Sequence, residues 1–585
     1  MARNGADILI DTLMAFGVDT IYGLPGDGIN GIMEAIRKRR DRVRFIQVRH
    51  EEAAAFAAVA HAKFTGRLGC CLATTGPGGT HLLTGLYDAK LDKVPVIAIT
   101  GSPYHDLTET YTQQDIDHTK VFMDVAAYST RVMGARHMEN AVSLACRHAL
   151  GYRGVGHVAV PVDVQDEKVD ADKPSDRNKP HHASLTPEDS SRRAPQQEIE
   201  RAAALLSGCR KVAILAGQGA LGAAGELRET AELLGAPIVK ALRAKGLVPD
   251  DDPLTTGGIG LLGTRPSQEA LEQCDGLLIV GSTFPYIEYY PKPGQARGVQ
   301  IDRDPTRIGL RYPVELGLVG ETRATLAALN LKLERRDDRS FLEQAQKAAE
   351  DWRELLRSSA ERAATPMPPG RIAREVGDRL KDDAIVTWDS GHNTGLMARY
   401  VVAKDRQMYG GSGLSASMAC AIPYAIAAAV AHPGRQVVAF VGDGGLSMLM
   451  GELATIARYR LPVKIVLVKN GMLGQIKWEQ MMFLGNPEYE CDLQPVDFVK
   501  VAEACGIRGW HVEASEDCAA VAQEALDYPG AALIEAVVDA NEPLLPPKRN
   551  QKYMENMDKA LPQTPGADQI RRNLQQEPLR TMLQP

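Results

Sequence analysis

The stretch VVAFVGDGGLSMLMGELATIARYRLPVKIVLVKN occupies residues 437–470 and predicts one strand–helix–strand unit. Its first β-branched run ends in Gly442-Asp443-Gly444-Gly445, a helical apolar pattern follows from near Leu446, and a second β-branched run covers residues 463–468. A helical crossover makes the two strands parallel. We therefore expect Asp443 and Asn470 at the carboxyl ends of neighbouring parallel strands, the edge at which such sheets bind ligands.

That edge offers oxygen ligands. Asp443 supplies a carboxylate and Asn470 an amide oxygen, and Mg²⁺ prefers one or two carboxylates together with substrate phosphates. The glycines would let a phosphate approach the backbone at the start of the helix. Alone, the GDG turn could equally be an ordinary strand-to-helix turn. A P-loop is excluded, because no Gly-Lys-Ser/Thr ending is present.

Length and composition favour a soluble protein of several domains. A chain of 585 residues, 44% of them apolar, is too long for one core and suggests three domains. Its 67 basic and 74 acidic residues give a net charge of −7 and no general attraction to nucleic acid or anionic membranes. The nine cysteines lack disulfide or zinc spacing. We expect a cytoplasmic protein that acts on a small molecule.

The first part of the chain alternates strands with helices, which predicts a parallel α/β domain over residues 1–185. The expected strands cover residues 20–23, 45–48, 69–74, 94–100 and 157–162. Glu51 and Glu52 follow one of these strands, and His81 ends a Gly-rich turn after another. Either acid could simply stabilise the amino end of the alanine-rich helix that follows it.

A middle domain is predicted over residues 196–335, after a polar, proline-dotted linker. The segment from Gly217 to Gly222 follows a strand and matches G-x-G-x-x-G. The acidic ribose partner expected after the next strand is missing, because that strand runs into Arg243. NAD binding is therefore not predicted.

A third domain is predicted over residues 365–540, followed by a tail at 541–585. A strand at 384–387 ends in the polar turn Trp388-Asp389-Ser390-Gly391-His392-Asn393. In the tail, a predicted helix over 567–576 has only Ile570 and Leu574 on one face, so membrane contact is unsupported.

Three stretches together resemble the pyruvate oxidase and acetolactate synthase group of thiamine diphosphate enzymes. They are RHEEAAAFAA from residue 49, GPGGTHLLTGLYDA from residue 76, and GDG…N, in which Asn470 comes 27 positions after Asp443. The resemblance covers about residues 1–540 and implies three Rossmann-like, doubly wound parallel α/β domains: pyrimidine-binding, middle and diphosphate-binding. It implies that Asp443, Asn470 and the carbonyl of Met472 hold Mg²⁺, and that Glu51 pairs with N1′ of the aminopyrimidine.

The resemblance also assigns the remaining thiamine and substrate residues. His81, Gln113 and Glu479 are implied to position substrate and handle protons, and Ile476 to line the substrate cavity. Two departures are Lys469, where the family usually has Asn, and Gln475, where it usually has an aromatic residue; the second leaves the substrate open. The implied cofactor contacts are Gly391, His392, Asn393, Ala416, Met418, Gly442, Gly444, Gly445, Met472 and Ile476.

Segments of the middle domain resemble the flavin-contacting segments of pyruvate oxidases. The phrase FPY…YYP, from Phe284, is especially similar to quinone-linked pyruvate dehydrogenases. The alternative is a middle domain retained only for structure. The implied FAD contacts are Gly260, Leu261, Ser282, Thr283, Phe284, Pro285, Tyr286 and Asp302.

The resemblance implies thiamine diphosphate- and FAD-dependent oxidative decarboxylation of pyruvate or a similar 2-keto acid, with quinone or oxygen as electron acceptor. The alternatives are carboligation in the manner of acetolactate synthase, non-oxidative decarboxylation, and cofactor binding without turnover. His81 argues against the synthase, which usually has Asn in that place. Because the family draws the domains of Glu51 and Asp443 from different subunits, a homodimer or homotetramer is expected.

Overall fold

The fold contains three domains, each with a parallel sheet as the sequence predicts, and each sheet has six strands. The computed structural model describes residues 3–169, 177, 192–548 and 550–576. Much of the predicted linker lies outside these described residues. A two-stranded antiparallel pair, Arg3–Asn4 with Lys168–Val169, joins the two ends of the first domain.

The first sheet has its strands in the order Arg44–Gln47, Thr20–Gly23, Gly69–Ala73, Val96–Ser102, Val155–Pro161 and Ala126–Arg131. Its α-helices are Gly5–Ala15, Asn30–Lys38, Glu51–Thr65, Pro77–His81, Leu83–Asp92, His118–Val121, Met138–Tyr152 and Val162–Asp166. The alanine-rich helix Glu51–Thr65 is buried along most of its length and packs against Ala421–Ala431 of the third domain. Small side chains on both helices allow this close approach.

The second sheet has the order Thr255–Gly258, Ile238–Lys240, Val212–Ala216, Gly276–Val280, Arg297–Asp302 and Leu316–Val319. The direction of strand progression reverses between Val212–Ala216 and Gly276–Val280, where a doubly wound sheet forms a crevice. The turns there pack backbone to backbone, since a Cβ on Gly217 would lie 2.4 Å from the carbonyl oxygen of Gly281. This contact explains Gly217 in the G-x-G-x-x-G match without a dinucleotide. The helices are Gln196–Ser207, Ala224–Leu234, Arg265–Gln273 and Thr322–Asn330.

The third sheet has the order Met408–Gly411, Ile385–Trp388, Val437–Gly442, Val463–Lys469, Ala532–Val537 and Arg508–Val512. The helix after the central strand starts at Asp443, not near Leu446 as predicted, because the glycine turn is itself its first turn. The helices of this part are Ser340–Ala360, Pro369–Asp378, His392–Tyr400, Ala421–Ala431, Asp443–Met448, Glu452–Arg458, Gly474–Trp478, Phe498–Ala504 and Cys518–Asp527, and a π-helical turn covers Glu479–Leu484.

The tail folds back onto the third domain through the helices Gln551–Ala560 and Ala567–Gln576. Ile570 is fully buried and Leu574 packs against a cluster that includes Trp478 and Met481. The short apolar face of the last helix is thus covered by the chain itself. None of the helices in the described ranges combines the length and the apolar content needed to cross a bilayer.

Candidate active site

Asp443 and Asn470 lie side by side at the edge of the third sheet. The strands that precede them pair in parallel, with Gly442 opposite Val468. Asp443 Oδ2 accepts the N–H of Gly471 at 2.7 Å, and Asn470 Oδ1 accepts the N–H of Met472 at 3.1 Å. Burial raises the pKa of Asp443, although the backbone N–H groups of Gly471 and Gly444 oppose the rise. A cation would favour the ionised carboxylate further.

The side-chain contacts of Lys469 explain why it can stand where the family usually has Asn. Its Nζ donates to the carbonyl of Val496 at 2.7 Å and pairs with Glu535 at 3.2 Å. Successive residues of a strand point to opposite faces, so Lys469 is directed away from the side of Asn470. The contacts of the Lys469 side chain therefore lie apart from the oxygen ligands, although its positive charge opposes the rise in the pKa of Asp443.

A cradle for a diphosphate lies beside these ligands. The helix His392–Tyr400 begins here after Gly391, whose φ of 135° favours glycine. Nδ1 of His392 is buried without a hydrogen-bond partner among the described residues, and burial lowers the pKa of His392 to about 4. A Cβ on Gly445 would lie 2.2 Å from Asp389 Oδ2, so a side chain does not fit there. An open helix end, glycine turns and hard oxygen donors fit a diphosphate with Mg²⁺.

The segment 412–418 covers the glycine turn from the other side. Ala416 has φ 50°, a left-handed conformation that costs a non-glycine residue about 1 kcal/mol or more. Cε of Met418 lies 3.1 Å from where a Cβ on Gly444 would be. The methionine is thus placed directly over the turn.

Glu51 lies in the first domain, outside the groups described so far, and contacts of neighbouring residues fix its position. Its side chain is 7% exposed, and its Oε2 is 2.9 Å from Nδ1 of His81. The His50 ring stacks on His81 at 4.5 Å between centroids, and the His50 N–H donates to Oε1 of Glu452 from the third domain at 3.1 Å. One ligand atom from each of His50, Glu51 and His81 lies within 4.8 Å of the others. His50 Nδ1, however, already accepts the N–H of Glu52 at 3.2 Å, so we interpret His50 as the cap of this helix and not as part of a metal site.

One cavity of about 1490 Å³ joins most of the predicted site. Glu479 of the predicted catalytic set lines it, whereas Glu51, His81 and Gln113 do not. Gln113 is exposed, and it is the neighbouring Gln114 that accepts the hydroxyl of Thr75. The cavity is lined by all the predicted metal ligands and by all the implied thiamine and flavin contacts other than Glu51: Asp443, Asn470, Met472, Gly391, His392, Asn393, Ala416, Met418, Gly442, Gly444, Gly445, Ile476, Gly260, Leu261, Ser282, Thr283, Phe284, Pro285, Tyr286 and Asp302.

The flavin candidates form the arm of this cavity at the crevice of the second sheet. Gly260 has φ 96°, and a Cβ there would lie 2.9 Å from the Phe284 ring. Phe284 in turn packs against Tyr286 and Tyr289, at 5.5 and 6.1 Å between centroids. Oδ1 of Asp302 already accepts the N–H of Asp304 at 2.9 Å, which leaves its other oxygen for a ligand. The aromatic wall around Phe284 suits a planar ring system.

Gln475 makes the substrate end of the cavity more polar than the aromatic residue that is usual in the family would. Gln475 Nε2 donates to Glu479 Oε1 at 3.0 Å and so orients that carboxylate. Phe483 and Tyr553, whose rings lie 4.7 Å apart, complete the wall. Sequence reasoning missed Tyr553, because nothing in the tail indicates that its helix returns to the π-helical turn.

Models of three families match the chain. They are the N-terminal TPP binding domain of thiamine pyrophosphate enzymes over residues 3–121, their central domain over 199–329, and their C-terminal TPP binding domain over 389–536.

Three relatives are similar over nearly the whole chain. YdaP of Bacillus subtilis, whose name describes it as containing thiamine pyrophosphate, is 38% identical and aligns over 93% of both chains. The pyruvate oxidase of Lactiplantibacillus plantarum is 33% identical over 92% of this chain and 89% of its own. Acetolactate synthase 2 of Nicotiana tabacum is 31% identical over 93% of this chain and 83% of its own.

Proposed function

Since the chain belongs to the thiamine pyrophosphate enzyme family, we propose that it catalyses the oxidative decarboxylation of pyruvate or a similar 2-keto acid. Thiamine diphosphate, Mg²⁺ and FAD would be its cofactors, and quinone or oxygen would receive the electrons. The supporting observation is that one cavity is lined by both the diphosphate candidates and the flavin candidates. This arrangement would bring an electron donor and an acceptor into one enclosed space.

The thiamine residues divide into holding and proton-handling groups. Asp443, Asn470 and the carbonyl of Met472 would hold Mg²⁺, with the diphosphate at the amino end of the helix that begins at His392. Thiamine diphosphate, when bound, would supply a carbon nucleophile for the keto group and a thiazolium ring that takes up the electron pair released as CO₂ leaves. Met418, which lies over the glycine turn, would contact the bound cofactor.

Glu51 would hold a proton at the aminopyrimidine. Its buried position keeps water away, and the adjacent His81 provides a group through which a proton can pass. At the substrate end, Gln475 fixes the carboxylate of Glu479, which would position the keto acid and exchange a proton with it.

The proposed flavin role is tested by anaerobic spectroscopy of the purified, cofactor-loaded protein. Adding pyruvate should bleach the flavin absorption at a rate compatible with turnover, and a quinone or oxygen should then restore it. Glu51→Gln is the matched control, because it should keep the flavin yet leave it oxidised. A wild-type flavin that stays oxidised while pyruvate is consumed would contradict the proposal.

Carboligation is the second candidate, supported by the similarity to acetolactate synthase 2 along most of the chain. In that case a second keto acid would capture the activated acyl group and the flavin would remain idle. The same anaerobic sample separates the two functions. Accumulation of acetolactate with persistent yellow colour would assign the chain to the carboligases.

A further inference from the structure

A buried cluster of charges joins all three domains next to the cavity. Asp92, the last residue of helix Leu83–Asp92, has a fully buried side chain. Lys63 Nζ lies 2.6 Å from its Oδ2, and Arg243 Nη1 lies 3.0 Å from its Oδ1. Arg243 Nη2 also donates to the Asp92 carbonyl at 2.8 Å. We call these three residues the Asp92 junction.

The junction holds the start of the segment 412–418. Asp92 accepts the N–H of Gly413 at 3.1 Å and that of Leu414 at 2.9 Å. Lys63 Nζ donates to the carbonyl of Gly411 at 2.9 Å. Burial alone would raise the pKa of Asp92, but Lys63 and Arg243 hold it below its usual range, so the carboxylate stays ionised. A buried, ionised acceptor with four donors fixes this segment firmly.

The same segment reaches the thiamine arm of the cavity within a few residues. Ala416 takes its left-handed conformation there, and Met418 lies over Gly444. Arg243, from the middle domain, lines the cavity together with the flavin candidates and is 19% exposed at its side chain. The junction therefore touches the nucleotide arm through Arg243 and the thiamine arm through the segment.

We propose that the Asp92 junction couples the two cofactor sites, so that a flavin nucleotide bound beside Arg243 strengthens thiamine diphosphate binding under Met418. This inference rests on the proposed function. Filling the flavin arm removes water from Arg243, and ion pairs strengthen as water leaves. A firmer Arg243–Asp92 pair holds Gly413 and Leu414 more rigidly, which stabilises the conformation of Ala416 and Met418 that receives the thiamine. Asp92, Lys63 and Arg243 are positioning residues in this scheme.

Calorimetric titration of the full chain, freed of cofactors, measures the coupling. With Mg²⁺ fixed, thiamine diphosphate is titrated with and without saturating FAD, and FAD with and without thiamine diphosphate. We expect each cofactor to increase the binding affinity of the other by the same factor, about tenfold, because coupling free energies are reciprocal. The factor is a ratio, so a uniform loss of affinity in a variant does not change it.

Arg243→Gln should reduce this factor to about one. Gly413→Ala provides a second route to the same result, because its Cβ would lie 2.4 Å from Arg243 Cδ and 2.6 Å from the Asp92 carboxylate. Arg228→Gln is the matched control, because Arg228 pairs with Asp252 at 2.8 Å in the same domain but does not line the cavity. The coupling factor of this variant should equal that of the wild type.

The outcomes separate the coupling from the function. A wild-type factor of one, or a factor that survives both Arg243→Gln and Gly413→Ala, overturns the coupling while both cofactors still bind. If the wild-type chain does not bind FAD at all, the proposed flavin function falls and the coupling falls with it.

Discussion

Asp443 is the carboxylate at the edge where two central strands of the third sheet end. Asp443→Ala should abolish Mg²⁺-dependent binding of thiamine diphosphate, because the amide of Asn470 and a carbonyl cannot hold the ion against water. Calorimetry measures this directly. Lys469→Gln is the control, since that side chain points to Val496 and Glu535, and it should retain binding. Unchanged cofactor affinity in Asp443→Ala would contradict the metal assignment.

Glu51 and Glu52 are adjacent acids in the first turn of one helix, and they allow a matched comparison. Glu51→Gln should keep the cofactor bound but slow hydrogen–deuterium exchange at its C2 carbon by about 10²- to 10⁴-fold, because an amide cannot hold the proton at the aminopyrimidine. NMR follows this exchange. Glu52→Gln should exchange at the wild-type rate. Equal rates in all three proteins would leave Glu51 as a helix-end acid only.

The site residues that could be predicted from the sequence are those whose position is indicated by nearby residues in the chain. Asp443, Asn470 and Glu51 each follow a strand and precede a helix, so topology alone gathers such residues at a sheet edge. Arg243 and Tyr553 have partners in other parts of the chain, Asp92 of the first domain and Phe483 of the third. No local pattern encodes such a partner, and the sequence left both outside the predicted site.

At the scale of elements, buried apolar strands were predicted and exposed or mixed strands were missed. The edge strand Ala126–Arg131 is only half-buried, and Met408–Gly411 contains two glycines. Ala532–Val537 is buried but is interrupted by Glu535, which contacts Lys469 at 3.2 Å and His511 at 3.0 Å. Lys469 and His511 lie on other strands and give that carboxylate partners inside the fold, and the sequence of a single strand does not reveal them.

Two buried histidines should make the first domain sensitive to acid. Burial lowers the pKa of His61 to about 4 and that of His157 to about 3, while the unfolded chain titrates near 6.5. Below that pH these histidines are protonated in the unfolded chain but remain neutral in the folded chain. The free energy of unfolding should therefore fall as the pH drops from about 6.5 towards 4. Thermal unfolding measured between neutral and acid pH follows this change.

His157→Gln should flatten the pH dependence. Glutamine can keep a hydrogen bond to Thr100 or Ser129, which contact the ring at 3.0 and 2.8 Å, but it cannot be protonated. His148→Gln, at the part-exposed surface of helix Met138–Tyr152, is the control and should retain the wild-type slope. Identical slopes in all three proteins would mean that other groups cause the acid sensitivity.

At the scale of the whole molecule, the cavity of one chain brings together the metal edge and the flavin arm but leaves out Glu51 and His81. The three domains could be predicted from alternating strands and helices, whereas this joint cavity depends on how the domains pack. Large apolar side chains are exposed in the first and third domains, Tyr111 and Met123 in the first and Met448 and Met450 in the third. A second copy would have to supply Glu51 to the metal edge if the site is built from two chains.

A mixed-subunit experiment tests whether two chains build each active site. Glu51→Gln and Asp443→Ala should each be inactive alone, because every site then lacks one essential group. Co-expressed in equal amounts, half of the dimers should contain one chain of each kind. If Glu51 of one subunit faces Asp443 of its partner, one site in each mixed dimer has both groups intact, and activity should return to about a quarter of the wild-type value. If a single chain supplied both groups, every site would still carry one substitution and no activity would return. Co-expressing two differently tagged Glu51→Gln chains controls for the tags and should remain inactive.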